Sequence, residues 1–223
     1  MPRYQAIWRA LTLRMTLGPR AHGVDAFSTI ERQVMKFKLS LVLCAVLAAA
    51  GCVSQQKYNA EVQQADVLGA QKKAADELNQ RLSSEVKSDQ VQIQQLQNQL
   101  KVTVANELLF PEGGYTLHAK GEESLAKMAP TLTALKGQQV VVEGFTDNVP
   151  IGPALRERFP SNWELSTARA TDVLRYLSAK GVPSNMLSAQ GFGDSRPAAS
   201  NDTQAGRAMN RRVEIVVTAA TRP

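Results

Sequence analysis

The chain has 223 residues, with 26 Lys and Arg against 20 Asp and Glu, two His, two Cys and 43% apolar residues. That length allows one or two modest domains, and so few cysteines exclude a disulfide-built miniprotein. Residues 1–51 carry seven basic and two acidic side chains, a net +5 of the chain's +6, which leaves the remainder near neutral. The basic excess is therefore weak support for a nucleic-acid partner, because it sits in a segment patterned as an address.

Lys36 and Lys38 precede an apolar run from Leu39 to Ala50, and small residues lead into Gly51-Cys52, the order of a secretory signal. The run is too short for a spanning helix, which needs about 20 residues. The setting Leu47-Ala48-Ala49-Ala50-Gly51-Cys52 resembles a bacterial lipobox, although Ala49 stands where that motif usually has a larger aliphatic residue. The resemblance implies cleavage before Cys52, acylation of its sulfur and a mature chain 52–223 held at a membrane by its acyl chains, each buried methylene contributing about 0.8 kcal/mol. An uncleaved anchor or an ordinary signal peptide is the alternative. Lipoproteins of this type that stay at the inner membrane resemble one another in an Asp after the Cys; Val53-Ser54 here implies the outer membrane, facing the periplasm. Residues 35–51 are read as the signal peptide and 52–57 as a lipidated linker. Residues 1–34 are read as a mis-assigned start before Met35, or as an extension.

From 58 to 101 the composition turns rich in Gln, Ala, Glu and Lys, with no Pro and only Gly69, which predicts a helical spacer. Two sets, Ala65, Lys72, Asn79, Val86, Ile93, Leu100 and Leu68, Ala75, Leu82, Asp89, Leu96, interleave with the spacing of a coiled-coil seam. The segment is expected either to pair as a homo-oligomer or to stand as a single stalk.

Residues 102–218 are expected to form one domain, with 219–223 as a tail. Val102 to Leu109 alternates as a strand; Leu125, Met128, Ala129, Leu132 and Leu135 follow at helical spacing up to Lys136-Gly137; Val140–Val142 reads as a buried strand. A Pro-rich loop then reaches Ser161 and Glu164, a capping-box pair, and a helix runs through Leu177 to Lys180-Gly181. Met186 to Gly191 predicts a short strand, Gly193 to Gly206 a polar loop and Arg212 to Val217 a last strand. The order β-α-β-α-β-β predicts an α+β fold of two layers, a mixed sheet with helices on one face.

Asp147 falls at the carboxyl end of the second strand, where ligands tend to bind in sheets packed by helices. On the following helix Asn162, Ser166 and Arg169 share a polar row within about 60° of one another. An acid and an Arg so placed can clamp a small zwitterion, the guanidinium taking its carboxylate and the Asp its ammonium. The same two residues equally suit a structural salt bridge.

The runs Gly144-Phe145-Thr146-Asp147-Asn148, Asn162-Trp163-Glu164-Leu165-Ser166-Thr167-Ala168-Arg169-Ala170, Gly191-Phe192-Gly193 and Asn201 through Glu214 resemble the OmpA-like peptidoglycan-binding domain. Outer-membrane protein A, the peptidoglycan-associated lipoprotein and the stator protein MotB share it. The resemblance covers most of 102–218 and implies the same fold, with the diaminopimelate of the peptidoglycan stem peptide as ligand and no cofactor. It implies that Asp147 and Arg169 hold that ligand, that Thr146, Asn162 and Leu165 line the groove, and that Arg211 or Arg212 lies nearby. Phe145 stands where the family often has His and is expected to alter one wall of the groove. The 148–160 segment is longer than in outer-membrane protein A, as in the MotB-like branch, either adding glycan contacts or forming a plain insertion.

Together these readings imply a lipid-anchored outer-membrane protein that tethers the membrane to the wall without catalysis. His118, the one His of the predicted mature chain, has no nucleophile in a triad order and is read as a surface residue. Arg207, Arg211 and Arg212 lack interleaved aromatics, which argues against nucleic acid. An envelope scaffold acting through 58–101, or a wall-active enzyme, is the alternative. A stator role is disfavoured because the run 39–50 carries no acidic residue.

Overall fold

The computed structural model describes residues 55–219. The expected signal peptide, Cys52 and the 1–34 extension lie outside them, as do the start of the linker and the last four residues. In chain order the elements are α1 (55–81), α2 (Ser83–Lys87), β1 (Val91–Gln95), β2 (Gln99–Ala105), α3 (Asn106–Leu109), α4 (Ala119–Ala134), β3 (Gln138–Gly144), α5 (Pro153–Arg156), α6 (Asn162–Ala179), a 3-10 turn at Ser184–Met186, β4 (Leu187–Gly191), α7 (Gln204–Asn210) and β5 (Arg212–Ala219).

The 58–101 spacer is corrected by this order, since helix α1 stops at 81, the short α2 ends at Lys87 and a β-hairpin follows. Asp89 adopts φ 55, a left-handed conformation that Asp tolerates and a helix cannot continue through. Beyond it Val91-Gln92-Ile93 and Leu100-Lys101-Val102-Thr103-Val104 alternate with period two and lay their apolar side chains on one face. The expected seam is also displaced. Gln71, Ala74, Ala75, Leu78 and Leu82 form the buried stripe of α1 and the turn after it, while Lys72 and Asn79 are exposed. The second half of α1 thus belongs to the domain core, and the compact unit begins at Ala60, far ahead of the expected boundary at 102. Any homo-oligomeric seam is left to the exposed stretch 60–70.

The sheet runs β1-β2-β5-β3-β4, antiparallel except for the parallel β3–β4 pair. This is the expected β-α-β-α-β-β order with β1 added at an edge. Leu100, Val102 and Val104 oppose Val217, Ile215 and Val213, and Val140 and Val142 lie opposite the same strand. These side chains form a single core with α1, α4 and α6. The reverse face carries Lys101, Thr103, Arg212, Glu214 and Glu143 on alternate positions.

Smaller corrections concern element ends. The first predicted strand stops at Ala105, because Asn106 turns the chain into α3, its N–H taken by the Arg211 carbonyl at 3.0 Å. The 193–206 loop runs into α7, whose first turn is capped by Thr203 through the Gly206 N–H at 3.0 Å. The Ser161–Glu164 capping box forms as expected at the start of α6.

α2 is tied to α4 by Glu85, whose carboxylate accepts from Ser84, from Ser124 at 3.2 Å and from Lys127 at 3.0 Å. Burial opposes the charge, but the hydrogen bonds from Ser84 and Lys127 outweigh it and hold Glu85 at about 2 against an ordinary 4.5. A depressed carboxylate stabilises the fold above its unfolded value and loses that contribution as pH falls through its folded one. The melting temperature should therefore fall between about pH 4.5 and 2. Glu85→Gln should lower it at neutral pH and flatten that part of the profile.

A groove at the end of β3

Two glycines set the position of α6. Gly144 and Gly191 are paired across β3 and β4. A Cβ on Gly144 would stand 2.3 Å from the Ser166 carbonyl, and one on Gly191 would stand 2.2 Å from Thr167 Oγ1. The bare backbone lets α6, with Asn162, Leu165 and Arg169, lie close over the strand that leads into Thr146-Asp147.

Beyond that strand end lies a groove of about 710 Å3, and Thr146, Asp147, Asn162, Leu165, Arg169 and Arg211 all line it. Of the residues expected at the site, only Arg212 is elsewhere. Its side chain turns to the reverse face of the sheet, bonded to Glu214 at 2.7 Å and lying 3.9 Å over the Phe145 ring. Strand alternation is the cause, since consecutive residues entering β5 point to opposite sides. Phe145 likewise forms no groove wall; it is buried and stacks on Phe192 at 5.3 Å.

Asp147 and Arg169 are both buried, yet among the described residues they make no ion pair with each other. The salt-bridge alternative therefore fails. Arg169 donates through Nε and Nη2 to the Gly114 carbonyl at 2.9 and 2.6 Å, which fixes the turn after Phe110. Nη1 takes no partner among the described residues. Burial pulls this guanidinium down to about 10, with Asp147 and Glu107 acting the other way, so it is charged at neutral pH. Asp147 Oδ1 accepts the Val149 N–H at 3.1 Å, and Oδ2 accepts from Arg211 at 2.9 Å. Burial works against the Arg211 charge, but hydrogen bonds to Asp147 and Glu107 hold it above its ordinary value.

Asn162 works on the loop. Its amide nitrogen donates to the Asp147 and Val149 carbonyls, both at 3.2 Å. Leu165 packs with Ile151 and Phe159, and Tyr115 meets Phe159 edge to face at 4.9 Å. The long 148–160 segment is thereby packed, and Val149, Pro150, Ile151 and Leu155 supply an apolar wall to the groove.

Several lining residues escaped the sequence reading: Asn106, Glu107, Phe110, His118 and Arg207. Glu107 pairs with Arg211 from 104 positions away, a distance at which no local pattern signals contact. His118 is more than a surface residue, capping α4 by accepting the Gly121 N–H on Nδ1 at 3.1 Å. Three acids (Glu107, Glu112, Asp147) face three Arg (Arg169, Arg207, Arg211), a balance suited to a zwitterion rather than a polyanion. Asn106 Oδ1 and Thr146 Oγ1 are buried without a partner, a cost that a bound ligand can offset.

Fold and groove define a mixed-sheet domain with a charge-balanced cleft at its strand ends, the architecture of a ligand-binding module. Residues 109–211 match the OmpA family model, and the chain belongs to the OmpA family. It is 34% identical over 120 residues to motility protein B of Bacillus subtilis, covering 53% of this chain and 44% of that one. It is 36% identical over 122 residues to peptidoglycan-binding protein ArfA of Mycobacterium tuberculosis, covering 55% and 35%. The chain thus spans less than half the length of these two relatives. Its fold is similar to the cell wall anchor of the T6SS from Pseudomonas aeruginosa, with a TM-score of 0.58 and 36% identity over 64% of this chain and 97% of that one.

Proposed function

We propose that the protein anchors a membrane to the cell wall non-covalently by binding the diaminopimelate of peptidoglycan stem peptides in this groove. The observation that carries the reading is that Asp147 and Arg169 are both buried at the groove without being paired to each other. Arg169 Nη1 is left to meet a carboxylate, and Asp147, shared with Arg211 and the Val149 N–H, is the acid to take an ammonium, while the wall of Val149, Ile151 and Leu155 suits the methylenes between. Two relatives named for the wall, peptidoglycan-binding protein ArfA and the T6SS cell wall anchor, support the ligand class. The protein acts as a tether rather than an enzyme, and acylation of Cys52 would fix its other end in the outer membrane, facing the periplasm.

A single clamp of this kind gives micromolar to millimolar affinity, about −8 to −4 kcal/mol. Many anchored copies on a repeating polymer then hold the layers by avidity. The test is co-sedimentation of the intact protein with purified diaminopimelate-type peptidoglycan, with free diaminopimelate as competitor. Sedimentation abolished by the amino acid is the expected result, and folded protein that stays in the supernatant without competitor would refute the reading. Labelled palmitate incorporated by the wild type and lost in Cys52→Ser would support the anchor.

A further inference from the structure

One cation holds two of the groove's acids. Arg211 Nη1 donates to Asp147 Oδ2 at 2.9 Å, while its Nη2 and Nε donate to Glu107 Oε1 at 2.6 and 3.1 Å. The acid expected to receive a ligand's ammonium is therefore already neutralised from within. The two anchors differ in character. The Asp147 side chain is 10% exposed, whereas that of Glu107 is 51% exposed and takes two edges of the guanidinium. The backbone of α3 is also tied to Arg211, through the Asn106 N–H on its carbonyl. Asn106 and Thr146, whose buried Oδ1 and Oγ1 have no partner among the described residues, line the same groove.

We infer that Arg211 is an internal counter-ion that the ligand's ammonium displaces from Asp147, and that Glu107 is a positioning residue that retains Arg211 during the exchange. The inference rests on the reading of the groove as a zwitterion site. The swap is charge-neutral, since one cation leaves Asp147 as another arrives. It is also selective, because a ligand without an ammonium leaves Asp147 paired. In this exchange Asn106 Oδ1 and Thr146 Oγ1 are the acceptors for the ammonium's remaining N–H groups. Without Glu107 the displaced Arg211 loses the anion it is bonded to beside Asp147 and competes harder for Asp147.

The test is calorimetric titration of free diaminopimelate into the intact protein and into Arg211→Gln, Glu107→Gln and the double variant. Arg211→Gln should bind about fivefold tighter, the scale of a partly exposed ion pair, and Glu107→Gln about threefold more weakly. The double variant should match Arg211→Gln. Loss of binding in Arg211→Gln would make that residue a direct ligand contact and overturn the inference. A Glu107→Gln effect that persists in the double variant would remove the positioning role, since a field effect of the carboxylate does not need Arg211. Binding by Arg211→Gln alone would support the counter-ion in its strongest form. If neither wild type nor Arg211→Gln binds, the functional reading falls and the pair is judged by melting. Additive losses of Tm in Asp147→Asn and Arg211→Gln would then overturn the ion pair as well, and non-additive losses would support it.

Discussion

Arg169→Ala is expected to abolish sedimentation with peptidoglycan while the protein stays folded. The side chain lines the groove with Nη1 unpartnered among the described residues, while the other lining Arg, Arg207 and Arg211, are bonded to the Asn201 carbonyl and to Asp147 and Glu107. Removing one partner of a desolvated charge pair costs about 2–5 kcal/mol, or a loss of roughly 30-fold and upward in affinity. Part of the effect travels through structure, because Arg169 also holds the Gly114 carbonyl. Arg169→Lys separates the two contributions: it keeps a charge but lacks the planar fork, so it should bind weakly and melt slightly early. Asp147→Asn retains the shape of the acid and should lose binding to a similar degree. Circular dichroism and Tm would confirm folding, and undiminished sedimentation of both variants would refute the clamp.

A chain beginning at 102 is expected not to fold at all. Such a fragment would lack β1, the antiparallel partner of β2, and the first three residues of β2 itself. It would also lack Leu78, Leu82, Val91 and Leu100, each no more than 1% exposed in the core. Removing a single buried Leu costs about 2–5 kcal/mol, so losing three of them and a buried Val costs as much as the 5–15 kcal/mol that holds a typical domain together. The fragment should give no cooperative melting transition, whereas a chain from 55 onward should give one. A sharp transition in the shorter fragment would show that α1 and the hairpin are accessories to the core.

These two predictions divide what was legible in the sequence from what was not. The strand–helix order after Val102, the capping box at Ser161 and the nearness of Asp147 to the Asn162 and Arg169 row follow from short-range patterns, whereas Thr146 and Leu165 entered only through the family resemblance. Such patterns are local and survive in a single sequence. The segment 88–101 misled because Gln, Ser and Lys are acceptable in a helix, and residues seven apart also fit a strand's inward positions when the register is ignored. What ended the helix was one left-handed Asp89 together with a core able to receive Ile93 and Leu100 as strand residues. The Arg211–Glu107 contact escaped for another reason. It joins the two ends of the domain across the sheet, and only the pairing of β2 with β5 brings them together.

The continuity of α1 sets how the protein meets mechanical load. From Ala60 the helix passes without a break into the buried stripe ending at Leu78 and Leu82, with no Pro on the way and only Gly69 to soften it. At about 1.5 Å per residue, the exposed stretch 60–70 acts as a lever arm of roughly 15 Å rigidly joined to the core. A tug on that arm is felt by the sheet itself rather than absorbed by a loose joint. In the tether proposed above, tension between the two layers would therefore be opposed by the unfolding barrier of the whole domain.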